Sequence, residues 1–464
     1  MTANINKNIF RVYDIRGSSI TDVTPIIAYK IGFCFAEMNV THSETRKICV
    51  GHDGRISSPA LYSALIRGII DGGGEVVAVG LVPSPALYFC DKILKPAASI
   101  MITASHNPKD DNGFKLLSRG ESFFNEQIQD LLAKILAANW SSIPSSFTLP
   151  TNIDTINIVD QYIDRILHDI NINSELKVAW DPGNGAAGKI TELLRIKLPN
   201  NNIVINSEID GTFPNHHPDP NVEENIQQLV TLVKNEQCDV GIAFDGDGDR
   251  LALVSKTGRV ILGDQILCIL AKDVIERNPN ATIVMDIKSS ESILKQIIAY
   301  GGKAIMWKTG HAFIKQKIRE SNALLGGETS GHIFFADRYY GYDDAIYAAI
   351  RFIEILSKST KSLDDMIDEL PEYFITPEIK ISVADNIKFK IIEEIKEGLI
   401  NKKVAFNDID GIKINIDDAN SLLLRASNTE AKIIARCEST SQDGLGRVQA
   451  ELLSLLAQYG LSAD

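Results

Sequence analysis

Ser105 is the first residue whose surroundings suggest chemistry. It follows an apolar run, Ile100-Met101-Ile102, that reads as a buried strand, and it stands in Thr103-Ala104-Ser105-His106-Asn107-Pro108. Small residues and turn formers fill that stretch, and Pro108 cannot continue a sheet ladder. A hydroxyl is thereby presented at the carboxyl end of a strand, where open α/β sheets bind their ligands. Asn112-Gly113-Phe114-Lys115 follows and brings an ammonium group close in sequence. Taken alone, Ser-His-Asn-Pro also fits a surface serine in a tight turn. Three further stretches shift the balance.

The first is Asp245-Gly246-Asp247-Gly248-Asp249-Arg250, after the strand-like run Val240-Gly241-Ile242-Ala243-Phe244. Three carboxylates at alternate positions turn toward one centre because the intervening glycines permit a tight backbone. Hard oxygen ligands suit Mg²⁺ or Ca²⁺ rather than zinc or copper, and such close charges repel unless a cation sits among them. An EF-hand needs Gly at its sixth loop position and Glu at its twelfth; Arg250 and Lys256 stand there, so that reading fails. In Gly327-Glu328-Thr329-Ser330-Gly331-His332, the alternating Glu328, Ser330 and His332 project to one side of an extended backbone. A carboxylate and a hydroxyl are natural partners for sugar hydroxyls, and Lys308-Thr309-Gly310-His311 adds a cation nearby. Arg425-Ala426-Ser427-Asn428-Thr429 and Arg436 combine hydroxyls, turn N–H groups and guanidinium forks, the parts of a phosphate cradle. A Gly-rich turn and a plain hairpin with two surface arginines are the competing readings of these last two stretches. Gly183-Asn184-Gly185-Ala186-Ala187-Gly188-Lys189 imitates a P-loop, but Ile190 stands where Ser or Thr must hold Mg²⁺.

Together these groups are a hydroxyl nucleophile beside a lysine, an acidic metal triad, a polyol loop and a phosphate cradle, with no nucleotide site. That combination points to phosphoryl transfer on a sugar phosphate without ATP. Keeping a phosphate on Ser105 requires positive charge against its roughly 1.5–2 negative charges. A metal held by Asp245, Asp247 and Asp249, with Arg250 and Lys115, supplies it.

The elements that must position these groups alternate strand, turn, helix, strand, the pattern of parallel α/β units. Apolar strands stop at Asp53, Asp181 and Asp286, and each is followed by another that ends in one of the polar loops above. This reads as three similar mixed α/β domains, related by a faded internal repeat. Residues 378–464 lack the Asp-terminated strand and read as a smaller C-terminal α+β domain. The expected domains are 1–150 with the serine loop, 151–252 with the metal loop, 253–368 with the sugar loop and 369–464 with the phosphate loop. A Pro/Ser-rich segment at 141–150 marks the first boundary.

A chain of 464 residues with a net charge of -13 offers no basic surplus for nucleic acid. Its six cysteines form no C-x-x-C pair and read as buried thiols of a reducing compartment. Neither a signal-peptide core nor an apolar run long enough to span a membrane occurs, so a cytoplasmic protein is expected.

The four loops, with Phe10-Arg11-Val12-Tyr13-Asp14-Ile15-Arg16-Gly17 near the start, resemble the signature loops of the α-D-phosphohexomutases, in the family's order and over the whole chain. Ile333-Phe334-Phe335, Arg338, Gly341, Asp343 and Asp344 resemble its bacterial mannose/glucose branch. The resemblance implies four domains around a central cleft, in a monomer or homodimer that acts on sugar phosphates without nucleotide, nucleic acid or membrane. It implies interconversion of hexose 1- and 6-phosphates, of mannose and/or glucose, through phosphorylated Ser105 and a hexose 1,6-bisphosphate. Mg²⁺ would be held by Ser105, Asp245, Asp247 and Asp249, with Lys115 as general acid/base, Arg16 and His332 assisting, and His106 and Arg250 supporting the phosphoserine. Tyr13, Lys288, His311, Glu328, Ser330, Arg425, Ser427, Asn428, Thr429 and Arg436 would bind substrate. Thr329 departs from the Met often found there, and Ala431 stands near a position where the family commonly has Pro. The rival readings are a phosphoglucosamine mutase and a non-catalytic sugar-phosphate sensor.

Overall fold

The computed structural model describes residues 5–41, 43–173, 175–199, 201–384, 386–427 and 431–462. The chain forms two compact units, Met1–Ile266 with Ser330–Asp364, and Leu267–Thr329 with Asp365–Asp464. The six cysteines are buried free thiols, and no helix among the described residues is long and apolar enough to cross a membrane.

The first unit holds two sheets. One is seven-stranded, in the order Ile15–Ser18, Asp111–Ser118, Ala98–Ile102, Lys47–His52, Glu75–Leu81, Asp154–Thr155, with Glu121–Ser122 pairing Asp111–Ser118. Its middle strands run parallel, while Asp111–Ser118 lies antiparallel between Ala98–Ile102 and Ile15–Ser18. That register sets Lys115 opposite Met101, and Arg16 opposite Gly113. Helices Pro25–Val40, Ser58–Asp71 and Ser84–Leu94 each begin with proline in the first turn, where the missing N–H costs nothing. Ile27, Ile31 and Phe35 of the first pack with Leu61, Leu65 and Ile69 of the second in one buried core, each side chain contributing about 1.5–3 kcal/mol.

The other sheet has the order Val260–Ile261, Leu251–Ser255, Val240–Phe244, Lys177–Asp181, Asn201–Val204. Val240–Phe244 and Leu251–Ser255 form a hairpin in which Phe244 pairs with Leu251, so the loop of the three aspartates is its turn. The boundary expected between 252 and 253 falls inside a strand of this hairpin, and the second sheet continues to Ile261. The first sheet likewise takes a strand from Asp154–Thr155, past the boundary expected at 150. The Pro/Ser-rich segment at 141–150 follows helix Glu126–Ala137 and precedes the last strand of the sheet.

The second unit contains the parallel strands Lys303–Trp307, Thr282–Asp286 and Leu325–Gly327. It also holds an antiparallel sheet of Phe374–Ile375, Ile379–Ser382, Lys432–Ser439, Asn420–Ala426 and Ile412–Asn415. Residues of helices Lys388–Asn401 and Gln442–Gln458 close its core with Ile395, Leu399, Leu452 and Leu456.

The three Asp-ended strands share a local device. Asp53 accepts from Arg55 N (3.0 Å) and Ser58 Oγ (2.7 Å), Asp181 from Gly183 N (2.9 Å), and Asp286 from Ser289 Oγ (2.8 Å). In each repeat a carboxylate caps the turn that leaves the strand.

Candidate active site

In the first unit, Ser105 sits at φ 52°, a left-handed conformation uncommon for any residue but glycine, and is almost fully buried. Its N–H donates to Thr103 Oγ1 at 2.8 Å. Arg55 fixes the rest of the loop. Itself buried, it pairs with Asp53 and donates to four backbone carbonyls, those of Ser105 (2.7 Å), Asn107 (2.7 Å), Pro108 (2.6 Å) and Asp111 (3.0 Å). Gly246 completes the support: a Cβ there would lie 2.5 Å from the Ser105 carbonyl oxygen. Ser105 Oγ donates to Asp245 Oδ2 at 2.6 Å and lies 3.2 Å from His106 Nδ1.

Asp245, Asp247 and Asp249 are completely buried and their oxygens converge within 4.8 Å. Asp245 Oδ1 accepts the N–H groups of Asp249 and Arg250, both at 3.1 Å, which curls the hairpin turn around it. Ser84, at the start of helix Ser84–Leu94, grips the middle ligand twice. Its N–H donates to the Asp247 carbonyl (2.9 Å) and its hydroxyl to Asp247 Oδ2. Lys115 Nζ lies 2.6 Å from Asp247 Oδ2 and also bonds Asp249 Oδ2.

One ammonium does not balance three carboxylates. Burial pushes the Asp245 carboxyl well above its ordinary range, and Asp247 and Asp249 push it the same way. Asp249 is pushed up to about 7, by burial first and Asp247 next. Burial also opposes ionisation of Asp247, yet Lys115 and Ser84 hold it below the usual carboxylate range. For Lys115, burial works to lower the pKa, but Asp247, Asp249 and Asp245 outweigh it and raise it. Asp247 Oδ1 and Asp249 Oδ1 are buried with no hydrogen-bond partner among the described residues. Converging hard oxygens, two of them unsatisfied and short of positive charge, fit a divalent cation.

His332 borders the triad. Its Nδ1–H donates to the Asp249 carbonyl (3.1 Å), Arg250 Nε donates to its Nε2 (2.9 Å), and Asp343 Oδ2 lies 3.5 Å from Nδ1. Arg16 donates to Asn107 Oδ1 (2.8 Å) and to Asp14 (2.6 Å), so it is tied to the serine loop, with half-buried Tyr13 just before this pair. Burial first, then Arg250 and Arg16, hold the His106 imidazole well below its ordinary pKa, leaving it neutral at neutral pH. Ser330 is partly exposed, and its carbonyl accepts from Asn221 Nδ2 at 3.0 Å.

The second unit carries the remaining candidates. Glu328 is buried and accepts the Gly310 N–H at 2.5 Å, just before helix His311–Ser321 places the buried His311. Thr329 donates its N–H (3.1 Å) and its hydroxyl (3.3 Å) to Asp286. Lys288 pairs with Glu378 at 3.2 Å, and Arg425 with Asp410 at 3.0 Å. Antiparallel register sets Arg425 opposite Ile434 and Arg436 opposite Leu423, which puts the two guanidinium groups on the same face of the sheet. Ser427 is buried at the end of its strand; Asn428 and Thr429 lie outside the described residues.

Sequence reasoning did not single out Arg55, Ser84, Asp410 or Glu378. Arg55 follows the strand-ending Asp53 by two residues, and Ser84 lies between two prolines that announce a helix start; those were the available signals.

Residues 7–141, 160–258 and 262–374 match alpha/beta/alpha domains I, II and III of phosphoglucomutase/phosphomannomutase, and residues 378–455 match its C-terminal domain. A phosphomannomutase/phosphoglucomutase of Pseudomonas syringae pv. tomato is 43% identical over 441 residues, 95% of this chain and 93% of that protein. A phosphoglucomutase of Neisseria meningitidis is 38% identical, covering 98% of both chains. The crystal structure of a phosphoglucomutase/phosphomannomutase family protein from Burkholderia thailandensis superposes with a TM-score of 0.90 at 35% identity, over 99% of this chain and 100% of that one. The chain belongs to the phosphoglucomutase/phosphomannomutase family.

Proposed function

We propose that the protein interconverts the 1- and 6-phosphates of mannose and glucose, with Ser105 as the residue that gives and receives the phosphoryl group. The observation that carries this reading is Ser105 Oγ, held 2.6 Å from Asp245 in a buried acidic triad that also grips Lys115. Phosphorylated Ser105 donates its phosphoryl group to the free hydroxyl of a hexose phosphate. The phosphorus–Oγ bond breaks as the new phosphorus–oxygen bond forms, and the proton of the accepting hydroxyl ends on Ser105 Oγ. Lys115 is the proposed carrier of that proton. The product is a hexose 1,6-bisphosphate; after it turns over, its other phosphate returns to Ser105, and the isomer is released. The same bisphosphate primes unphosphorylated Ser105, which makes it the activator.

Mg²⁺ is the proposed occupant of Asp245, Asp247 and Asp249. When bound it supplies positive charge against the charge that develops on the transferring phosphoryl oxygens. Arg250, braced by His332, and Arg16, braced by Asp14, offer fixed guanidinium groups to the same end. Glu328 and Ser330 are proposed for the sugar hydroxyls, and Lys288, His311, Arg425, Ser427, Asn428, Thr429 and Arg436 for the sugar and its distal phosphate.

The test is conversion of mannose 1-phosphate, glucose 1-phosphate and glucosamine 1-phosphate to their 6-phosphates with Mg²⁺ and a trace of glucose 1,6-bisphosphate. Comparable turnover of the first two is expected. Turnover of glucosamine 1-phosphate alone would transfer the protein to the phosphoglucosamine mutases, and turnover of none would leave a sensor.

A further inference from the structure

A single oxygen, Asp410 Oδ2, takes three donors from two separate segments of the second unit. Arg425 offers Nε at 3.1 Å and Nη2 at 3.0 Å, and Thr309 offers its backbone N–H at 3.1 Å. Gly411 makes this approach feasible. It sits at φ 92°, and a Cβ there would lie 2.8 Å from Arg425 Cα, so the Asp410 turn lies directly on the Arg425 backbone. The chain of bonds continues beyond Thr309. Its hydroxyl donates to Asp286 Oδ2 (3.3 Å), and Asp286 Oδ1 accepts the Thr329 N–H (3.1 Å). The next residue, Gly310, donates its N–H to Glu328. Continuous hydrogen bonding therefore links Arg425 to the Glu328-Thr329 loop through Asp410 and the 308–310 turn.

We propose that Asp410 is a positioning residue that fixes the guanidinium plane of Arg425 for a sugar-phosphate oxyanion and ties it to the sugar-binding loop. The proposal rests on the reading of Arg425 as a phosphate-binding residue. A guanidinium group has five N–H donors, of which Asp410 occupies two on one edge. The remaining three face away from the carboxylate in one plane, the geometry that grips a phosphate with two parallel bonds. A long, flexible side chain held this way surrenders its freedom before the ligand arrives, so less affinity is lost on binding. The Asp410 charge is taken up by its donors, which limits its repulsion of the incoming anion. Asp286 couples the same turn to Thr329, so misplacing Asp410 disturbs sugar and phosphate recognition together.

The test compares wild type, Asp410→Asn, Arg425→Ala and the double variant in steady-state turnover of glucose 1-phosphate and mannose 1-phosphate, with thermal midpoints for all four. Asp410→Asn is expected to raise both KM values about tenfold while kcat stays within about threefold, because charge-assisted bonds that orient a ligand group are lost. In the Arg425→Ala background the same change should add less than about twofold, since nothing remains to be oriented. A merely structural role would lower the thermal midpoint and kcat, leave KM unmoved and persist undiminished in the double variant; that result overturns the proposal. Should Asp410→Asn not fold, Asp410→Glu, which keeps the charge and displaces it by one methylene, gives the reading: raised KM supports the proposal and unchanged KM overturns it. If the wild type turns over neither sugar phosphate, the mutase reading is what fails. Glucose 1-phosphate affinities of the same four proteins, by calorimetry, then decide the Asp410 question.

Discussion

The Ser105 region and the Arg425 region solve opposite problems. Around Ser105 the polar groups are buried and each is fixed by several others: Arg55 by five partners, Asp245 by two backbone N–H groups, Asp247 by both ends of Ser84. Around Arg425 and Lys288 the cations are held by carboxylates that water reaches, with Glu378 41% exposed and Asp410 17%. The contrast follows from what each must do. Charge development during transfer is best met by groups that are dry and already in place, where each interaction is strongest. A phosphate that binds and leaves at every cycle needs cations it can reach: Lys288 is held by a solvent-screened carboxylate that a ligand can replace, and Asp410 takes one edge of Arg425 and leaves the other open. Fully buried, multiply held groups are concentrated where bonds are proposed to break, and more solvent-accessible ion pairs where a ligand is exchanged.

Substitutions on the two sides should separate accordingly. Arg55→Lys keeps a positive charge but loses the fork that holds four carbonyls. It should lower kcat by about a hundredfold, the scale set by misplacing a reacting group by about 1 Å, with KM little changed. A fall in KM-dependent terms alone would break the distinction between the regions. Ser84→Ala removes the hydroxyl from Asp247 without touching substrate. The expected loss is about 10–100-fold in Mn²⁺ affinity, read by electron paramagnetic resonance, with restoration in Ser84→Thr. Unchanged affinity would mean that the carboxylate needs no support. Glu378→Gln is expected to have the smallest effect, a fall of KM for glucose 1-phosphate by about threefold at most, because the exposed pair with Lys288 is weak. A hundredfold change there would show that the Arg425 side is as rigidly built as the other.

Much of this was legible in the residues because the signals were local. Turn formers after an apolar run placed Ser105 at a strand end, and the structure has Ala98–Ile102 ending there. The expected alternation of strand, turn, helix and strand is seen in Lys47–His52, Ser58–Asp71 and Glu75–Leu81. Gly-spaced aspartates on a hairpin turn converge as expected, since the intervening glycines let the backbone curl tightly around one centre. What escaped depends on pairs far apart in sequence. Arg55 reaches carbonyls 50 residues and more away, and Ser84 reaches Asp247 across 163 positions. Neither carries a periodicity or a motif, and a lone Arg or Ser near a turn fits many surfaces. The strand that crosses position 252 escaped for a related reason. Leu251–Ser255 returns beside its neighbour as a hairpin, and no linker composition separates the two.

The central claim, that Ser105 carries the phosphoryl group, is best tested by incubating the protein with glucose 1,6-bisphosphate and Mg²⁺ and mapping phosphorylation by peptide mass spectrometry. Phosphate on the peptide at Ser105 is predicted, lost on addition of glucose 6-phosphate and absent from Ser105→Ala, whose turnover should fall by about 10⁴-fold or more. Full turnover by Ser105→Ala, or a transferable phosphate on another residue, would contradict it.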